Sequence, residues 1–290
     1  MNKNEGETME NKNLGLENAT TTMVEGLKII KVTLPHDLEE VEIVPIGDIH
    51  VGDEFYDEKM LKNLINYVLE KENRYIILNG DMMDMALKTS VSDIYGATMS
   101  PAQQVQYVAK IFMPIKDRIL ACGTGNHSER VYKNTGIDVD YLLALELGIK
   151  ERYSNNSFVL FLKVGESHTS RPSKIKQQVY SIFVQHGRGG GRKMGAKVNR
   201  LVDMDNIVAN ADLYIMGHVH APVNLPQSTF ISDEQNMTIS RHTGYYMIHN
   251  AFLNFGGYGL TYGFRPSSKT ITYATLNTKG VKKIKITTGN

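Results

Sequence analysis

The chain has 290 residues, 41% of them hydrophobic and 22% charged, which suits one α/β domain and excludes a disordered or fibrous chain. Lys and Arg number 32 against 31 Asp and Glu, a net charge of +1, so a globally basic nucleic-acid coat is excluded while a local basic patch is not. The lone Cys122 excludes an intramolecular disulfide framework and a multi-Cys zinc site, and no apolar run approaches the roughly 18–20 residues that cross a bilayer.

Residues 1–25 are rich in Asn, Glu and Thr, lack an apolar signal core and read as a disordered leader. A cytoplasmic protein with no membrane partner is expected. A single domain over 26–290 follows. Leu27–Leu34 and Val41–Ile46 are β-rich on either side of Pro35-His36-Asp37 and read as a hairpin. Asp57–Glu70 has helical apolar spacing. Tyr75–Leu78 is a short buried strand. A polar stretch leads to Ser100-Pro101, an N-cap with Pro at the first helical position, and a helix to Phe112. The insertion at about 85–118 is expected to form a helical cap beside the site, with Val105, Val108 and Ile111 packing into a core. Ile119–Cys122 is a strand and Asp138–Leu147 a helix. Phe158–Val164 and Gln177–Val184 are strands, Lys193–Ala209 a helix and Leu213–Met216 a strand. Beyond them, short β segments alternate with turns. The aromatic residues there, among them Tyr245, Tyr246, Phe252, Tyr258 and Tyr262, suit β packing better than base stacking.

Five of these strands end alike, each presenting polar groups: Asp48 and His50, then Asp81, then Asn126 and His127, then His186, then His218 and His220. Sites in α/β sheets form in the crevice beyond the carboxyl ends of the strands. Imidazole and carboxylate together suit divalent transition metals, and so many ligands suit two ions sharing a carboxylate. Asp48-x-His50 leaves a strand with period two, so both side chains can point the same way, and Gly47 lets the chain turn there. His218-x-His220 repeats the device after Gly217; its two imidazoles can serve one ion or be divided between two. His36, His168, His242 and His249 read as turn, loop or β-region histidines without a role in the site.

Gly47-Asp48-Ile49-His50, Gly80-Asp81-Met82-Met83-Asp84, Gly125-Asn126-His127, His186 and Gly217-His218-Val219-His220, in that order, resemble the motifs of the calcineurin-like metallophosphoesterases. The resemblance covers roughly Val41–Leu225. It implies an α/β metallophosphoesterase four-layer fold, a two-sheet β-sandwich flanked by helices, with a dinuclear metal centre. It implies that Asp48, His50 and His220 hold one ion, that Asn126, His186 and His218 hold the other, and that Asp81 bridges them. His127 is then the catalytic histidine and Asp84 its carboxylate partner. Mn2+ is the expected ion, with Fe, Zn, Ni or Mg as alternatives. Many members of the family continue Gly-Asn-His with Asp or Glu, where this chain has Ser128 and then Glu129.

The activity so implied is hydrolysis of phosphoesters, foremost phosphodiesters, in a nuclease-like enzyme whose partners include DNA or RNA. Arg188, Arg192, Lys193, Lys197 and Arg200 among the glycines at 187 and 189–191 form a basic stretch before a helix. Arg188 and Arg192, with Arg130, are the candidates for gripping phosphate. The run His186-Gly187-Arg188-Gly189-Gly190-Gly191-Arg192 also gives a looser likeness to phage and prophage metallophosphoesterases. A phosphomonoesterase or protein phosphatase is the alternative; protein phosphatases of the family commonly place Arg after the second motif, where this chain has Met85. A catalytically silent scaffold is the competing class. Such modules lose ligands or the catalytic histidine, and this chain keeps them.

Overall fold

The computed structural model describes residues 19–88, 90, 94–167, 176–189, 191 and 193–289. Arg192, His168 and residues 1–18 lie outside that set. The strands are β1 (Thr20–Val24), β2 (Leu27–Thr33), β3 (Glu40–Ile46), β4 (Arg74–Asn79), β5 (Ile119–Gly123), β6 (Tyr153–Ser154), β7 (Phe158–Ser167), β8 (Lys176–Gln185), β9 (Leu213–Met216), β10 (Val223–Asp233), β11 (Thr238–Ile248), β12 (Ile271–Asn277) and β13 (Ile284–Gly289). The helices are α1 (Glu58–Leu69), α2 (Pro101–Phe112), α3 (Asn126–Thr135), α4 (Val139–Glu146), α5 (Met194–Val202) and α6 (Gly257–Thr261).

The strands form two sheets flanked by helices. One runs β1-β2-β7-β8-β9-β11-β10 and the other β13-β12-β3-β4-β5-β6. Between them lies an apolar layer that includes Ile43, Tyr75, Ile77, Leu160, Ile182 and Leu213. On the outer face of the six-stranded sheet, α1, α2 and α4 bury Leu61, Leu64, Val68, Val108, Phe112 and Leu143 against Val44, Ile76 and Leu78. Leu201 of α5 packs on Phe183, Tyr214 and Tyr246 outside the other sheet. Strands β3–β6 are mutually parallel. Being covered on both faces, β4 and β5 are buried along their whole length, which is why they read as continuous apolar runs.

Three sequence expectations change. The two β-rich segments around Pro35 are not a hairpin: β2 pairs parallel with β7, whereas β3 pairs with β4 and β12 in the other sheet. The physical reason is burial. The stretch Val41–Ile46 of β3 is buried throughout and takes a covered, internal place, while β2 is only partly buried and joins the opposite sheet. Order also begins before Gly26, because β1 pairs with β2 across a two-residue turn at Glu25-Gly26. Both turn residues have positive φ, 48° and 85°, as a tight hairpin turn of this hand requires. Backbone pairing rather than apolar burial orders that strand. The helix of the expected cap, α2, is a wall of the core, with Gln104, Val108, Ala109 and Phe112 buried. Ser100 is its N-cap with Pro101 in the first turn, as the sequence predicts, and Gln103 completes a capping box. No helix among the described residues is long and apolar enough to cross a membrane.

Candidate metal centre

The carboxyl ends of β3, β4 and β5 from one sheet meet those of β8 and β9 from the other. Gly47 to Val51 runs beside Gly80 to Met82: Ile49 N and His50 N both donate to Asp81 O, at 2.8 and 3.0 Å. Across the gap, His218 N donates to Asp48 Oδ2 at 2.8 Å. Gly217 N donates to His186 O at 3.0 Å. These bonds fix the two sheet edges on each other.

Asp48, His50, Asp81, His218 and His220 all have left-handed backbone, with φ of 51°, 55°, 49°, 68° and 50°. Such a conformation is uncommon in residues other than glycine and costs on the order of 1–3 kcal/mol each. Here it turns side chains off the ends of β3, β4 and β9 into one place. Three groups result, each with ligand atoms within 4.8 Å of one another: Asp48, His50 and His220; Asp81, His186 and His218; and His50, Asp81 and His127. Asn126 joins the second group, its Oδ1 3.1 Å from His186 Nε2. Asp81 Oδ2 lies 3.1 Å from the same nitrogen.

The donor set fits divalent ions. Asp48 Oδ1 is buried with no hydrogen-bond partner among the described residues, yet lies 3.6 Å from His220 Nε2 and 3.9 Å from His186 Nε2. His50 Nε2 and His220 Nε2 approach to 3.2 Å. A cation between such atoms answers the orphaned oxygen and the facing nitrogens at once.

The electrostatics agree. Burial alone would raise Asp48, but His220, His186 and His249 hold it well below the usual carboxylate range. Asp81 is likewise held down, against its burial, by His186, His127 and His50. Burial and the neighbouring His127 push His50 down to about 3. Burial opposes charge on His186 too, but Asp81 and Asp48 outweigh it and lift that imidazole to about 9. Protons and metal ions compete for these nitrogens.

His127 stands beside the groups on the first turn of α3. Its N–H donates to Asp81 Oδ1 at 2.9 Å. Its Nδ1 lies 2.6 Å from Asp84 O and 3.2 Å from Asp84 Oδ1. Its Nε2 lies 3.8 Å from Asp81 Oδ2. Burial disfavours the charged ring, but Asp81 and Asp84 overcome it and raise its pKa.

Arg130, Arg188 and Arg200 are engaged with groups of the protein itself. Arg130 Nη2 donates to Asp84 O at 2.7 Å and lies 2.6 Å from His127 Nδ1, so it braces the histidine. Arg188 pairs with Glu129 at 2.9 Å. Lys197 Nζ donates to Val219 O and Arg200 to Gly189 O, at 2.7 and 2.5 Å. Lys193 is exposed.

His249, which the sequence places among histidines without a site role, lies under the centre. It is buried, its Nδ1 3.8 Å from Asp48 Oδ2 and 3.0 Å from Asn250 O, its Nε2 3.3 Å from Asn79 Nδ2. It follows a β strand with no Gly-x-His signature, so nothing local marked it.

No family model and no curated protein matches the chain. Among solved structures, the chain is similar to a conserved uncharacterised protein of Streptococcus pneumoniae TIGR4 described as a predicted phosphoesterase. That likeness has 12% identity and a TM-score of 0.33, and covers 87% of this chain and 91% of that one. It is also similar to GAP50, the anchor in the inner membrane complex of Plasmodium, at 11% identity and a TM-score of 0.39, over 87% of this chain and 89% of that one.

Proposed function

We propose that this chain is a metal-dependent phosphoesterase acting on phosphodiesters. The observation that carries it is the convergence of left-handed Asp48, His50, Asp81, His218 and His220 around an orphaned carboxylate oxygen. Asp48, His50 and His220 hold one ion, Asn126, His186 and His218 a second, and Asp81 faces both. Two divalent ions, Mn2+ foremost, would activate water and neutralise phosphoryl charge.

The protein's own groups supply the rest. Water adds to phosphorus and the bond from phosphorus to the ester oxygen breaks, so the leaving oxygen needs a proton. His127 is placed to give it from Nε2, since Nδ1–H donates to Asp84. Asp81 and Asp84 raise its pKa and so favour the charged ring that this role needs. Asp84 and Arg130 hold its plane. The fixed carboxylates and imidazoles need little rearrangement as charge develops.

The test is hydrolysis of bis(4-nitrophenyl) phosphate with added Mn2+, read beside metal content. Asp81→Asn is expected to lose both metal and turnover. His127→Asn is expected to keep the metal and lose turnover by about 10² to 10⁴, the range for a missing general acid, on a diester with an alcohol leaving group, and to lose less on the 4-nitrophenyl diester, whose leaving oxygen departs as a stabilised phenolate. Two bound ions with normal turnover in Asp81→Asn would overturn the centre. Metal loss in His127→Asn would reassign that histidine as a ligand.

A further inference from the structure

The carbonyl that receives His127 belongs to a peptide group held from its other side. Asp84 O lies 2.6 Å from His127 Nδ1 and accepts from Arg130 Nη2 at 2.7 Å. The N–H of the same peptide group, Met85 N, donates to Gln104 Oε1 at 3.0 Å. A peptide unit is planar, so whatever holds its N–H also aims its C=O. Gln104 is a residue of α2 and only 1% exposed. Its Nε2 donates to Met99 O at 2.9 Å, and that bond leaves Oε1 as the end of the amide that faces Met85. Gly52 makes room for the amide: a Cβ there would lie 2.3 Å from Gln104 Nε2.

The peptide needs such a hold. Met85 has φ of 47°, a left-handed backbone that is uncommon outside glycine. A half-turn of the Asp84–Met85 peptide would return Met85 to ordinary negative φ. It would also point Asp84 O away from His127 and towards Gln104 Oε1, one acceptor against another, and take the N–H of buried Met85 from its partner. The bond from Gln104 therefore opposes the flip. Donation by the N–H also polarises the carbonyl of the same peptide, which makes it a better acceptor for His127 Nδ1–H. On the N-terminal side, Asp84 N donates to Val51 O at 2.9 Å and completes the hold.

We infer that Gln104 is a positioning residue: through the Asp84–Met85 peptide it sets the direction of the His127 ring, and with it the proton at Nε2. The inference rests on the phosphoesterase reading for its effect on turnover.

Two aryl diesters of similar size read that effect, diphenyl phosphate and bis(4-nitrophenyl) phosphate, both with Mn2+. A departing phenol oxygen needs the proton more than a 4-nitrophenol oxygen does. Gln104→Met, similar in size but without the amide, is expected to lower kcat about 10-fold on diphenyl phosphate and by no more than about 3-fold on the nitrophenyl diester. KM and bound Mn2+ should not change. Gln104→Glu, whose carboxyl oxygen still accepts from Met85 N, should keep kcat within about 3-fold of the parent on both. Equal losses on the two diesters, or loss of Mn2+, overturn the positioning role. NMR of the metal-free protein labelled with 15N-histidine gives a second readout. The ring signals of His127 are those missing from His127→Asn. Its Nδ1–H signal is expected to move in Gln104→Met and to stay in place in Gln104→Glu, and an unmoved signal in Gln104→Met overturns the inference. Gln104→Asn, whose amide stops one methylene short of Met85, takes the place of Gln104→Met if the apolar variant does not fold. Should the parent hydrolyse neither diester, the phosphoesterase reading fails, and the NMR result still decides whether Gln104 sets the ring.

Discussion

The ring of His249 fills the space left by two glycines. A Cβ on Gly217 would lie 2.4 Å from His249 Nε2, and one on Gly47 would lie 2.6 Å from its Cε1. Neither glycine has positive φ; the left-handed turns fall on Asp48 and His218 instead. Gly47 and Gly217 are therefore there for space, not for the sharp turn that the motif suggests. The ring they admit touches Asn79 and stands 3.8 Å from Asp48, beneath the proposed ions. Burial keeps it neutral, its pKa lowered despite Asp48. Groups that orient metal ligands in this way typically matter by 10- to 100-fold in affinity, so His249→Ala is expected to weaken Mn2+ binding by about that factor. Titration calorimetry of the metal-free protein measures it. Unchanged affinity would make His249 a packing residue only.

Between residue and fold, the unit that matters is the strand with its terminal turn. Those ends were legible because Asp and His after a short apolar run have few structural uses, and five in order are hard to explain by packing. The amphipathic spacing of α1 and the Ser100 cap of α2 were equally legible. Which sheet β2 joins was not, since partner choice depends on burial that only the assembled molecule supplies. Helix α3 was hidden too, because Asn126 and His127 read as a loop although they form its first turn. That turn rests on buried Asp140 of α4, whose Oδ2 accepts from Thr124 Oγ1 at 2.7 Å. Asp140 Oδ1 and Ser128 Oγ are both buried without a hydrogen-bond partner among the described residues. Burial pushes Asp140 up to about 6. An acid raised in the folded state contributes stability below its unfolded value, and that contribution is lost as pH rises through the folded one. Between pH 5 and pH 8 the metal-free parent should thus lose about 1.4 kcal/mol through Asp140, and Asp140→Asn should not. Urea unfolding of both proteins at the two pH values checks this. A constant difference between them would mean that Asp140 is not protonated in the folded protein.

At the scale of the molecule, the proposed centre lies across the seam of the sandwich. Asp48, His50, Asp81 and Asn126 follow strands of the six-stranded sheet, and His186, His218 and His220 follow strands of the other. Each metal group draws on both sheets: Asp48 and His50 with His220, Asp81 with His186 and His218. Ions bound there join the sheet edges that the apolar layer joins inside. The unfolded chain separates those ligands by as much as 170 positions between His50 and His220, and by two more between Asp48 and His220, and has no preformed site. Binding free energy is then folding free energy, which at a free concentration of 100 Kd amounts to about 2.7 kcal/mol. Mn2+ should raise the Tm of the parent progressively with concentration. His50→Ala on one sheet and His218→Ala on the other should each flatten that rise, because either removes a ligand from a group that spans the seam. Asn155→Ala, away from the ligands, should leave it intact. Differential scanning calorimetry against Mn2+ concentration reads all four proteins. A rise in His218→Ala as steep as in the parent would show that His218 holds no ion, and the group of Asp81 and His186 would then have to be redrawn without it.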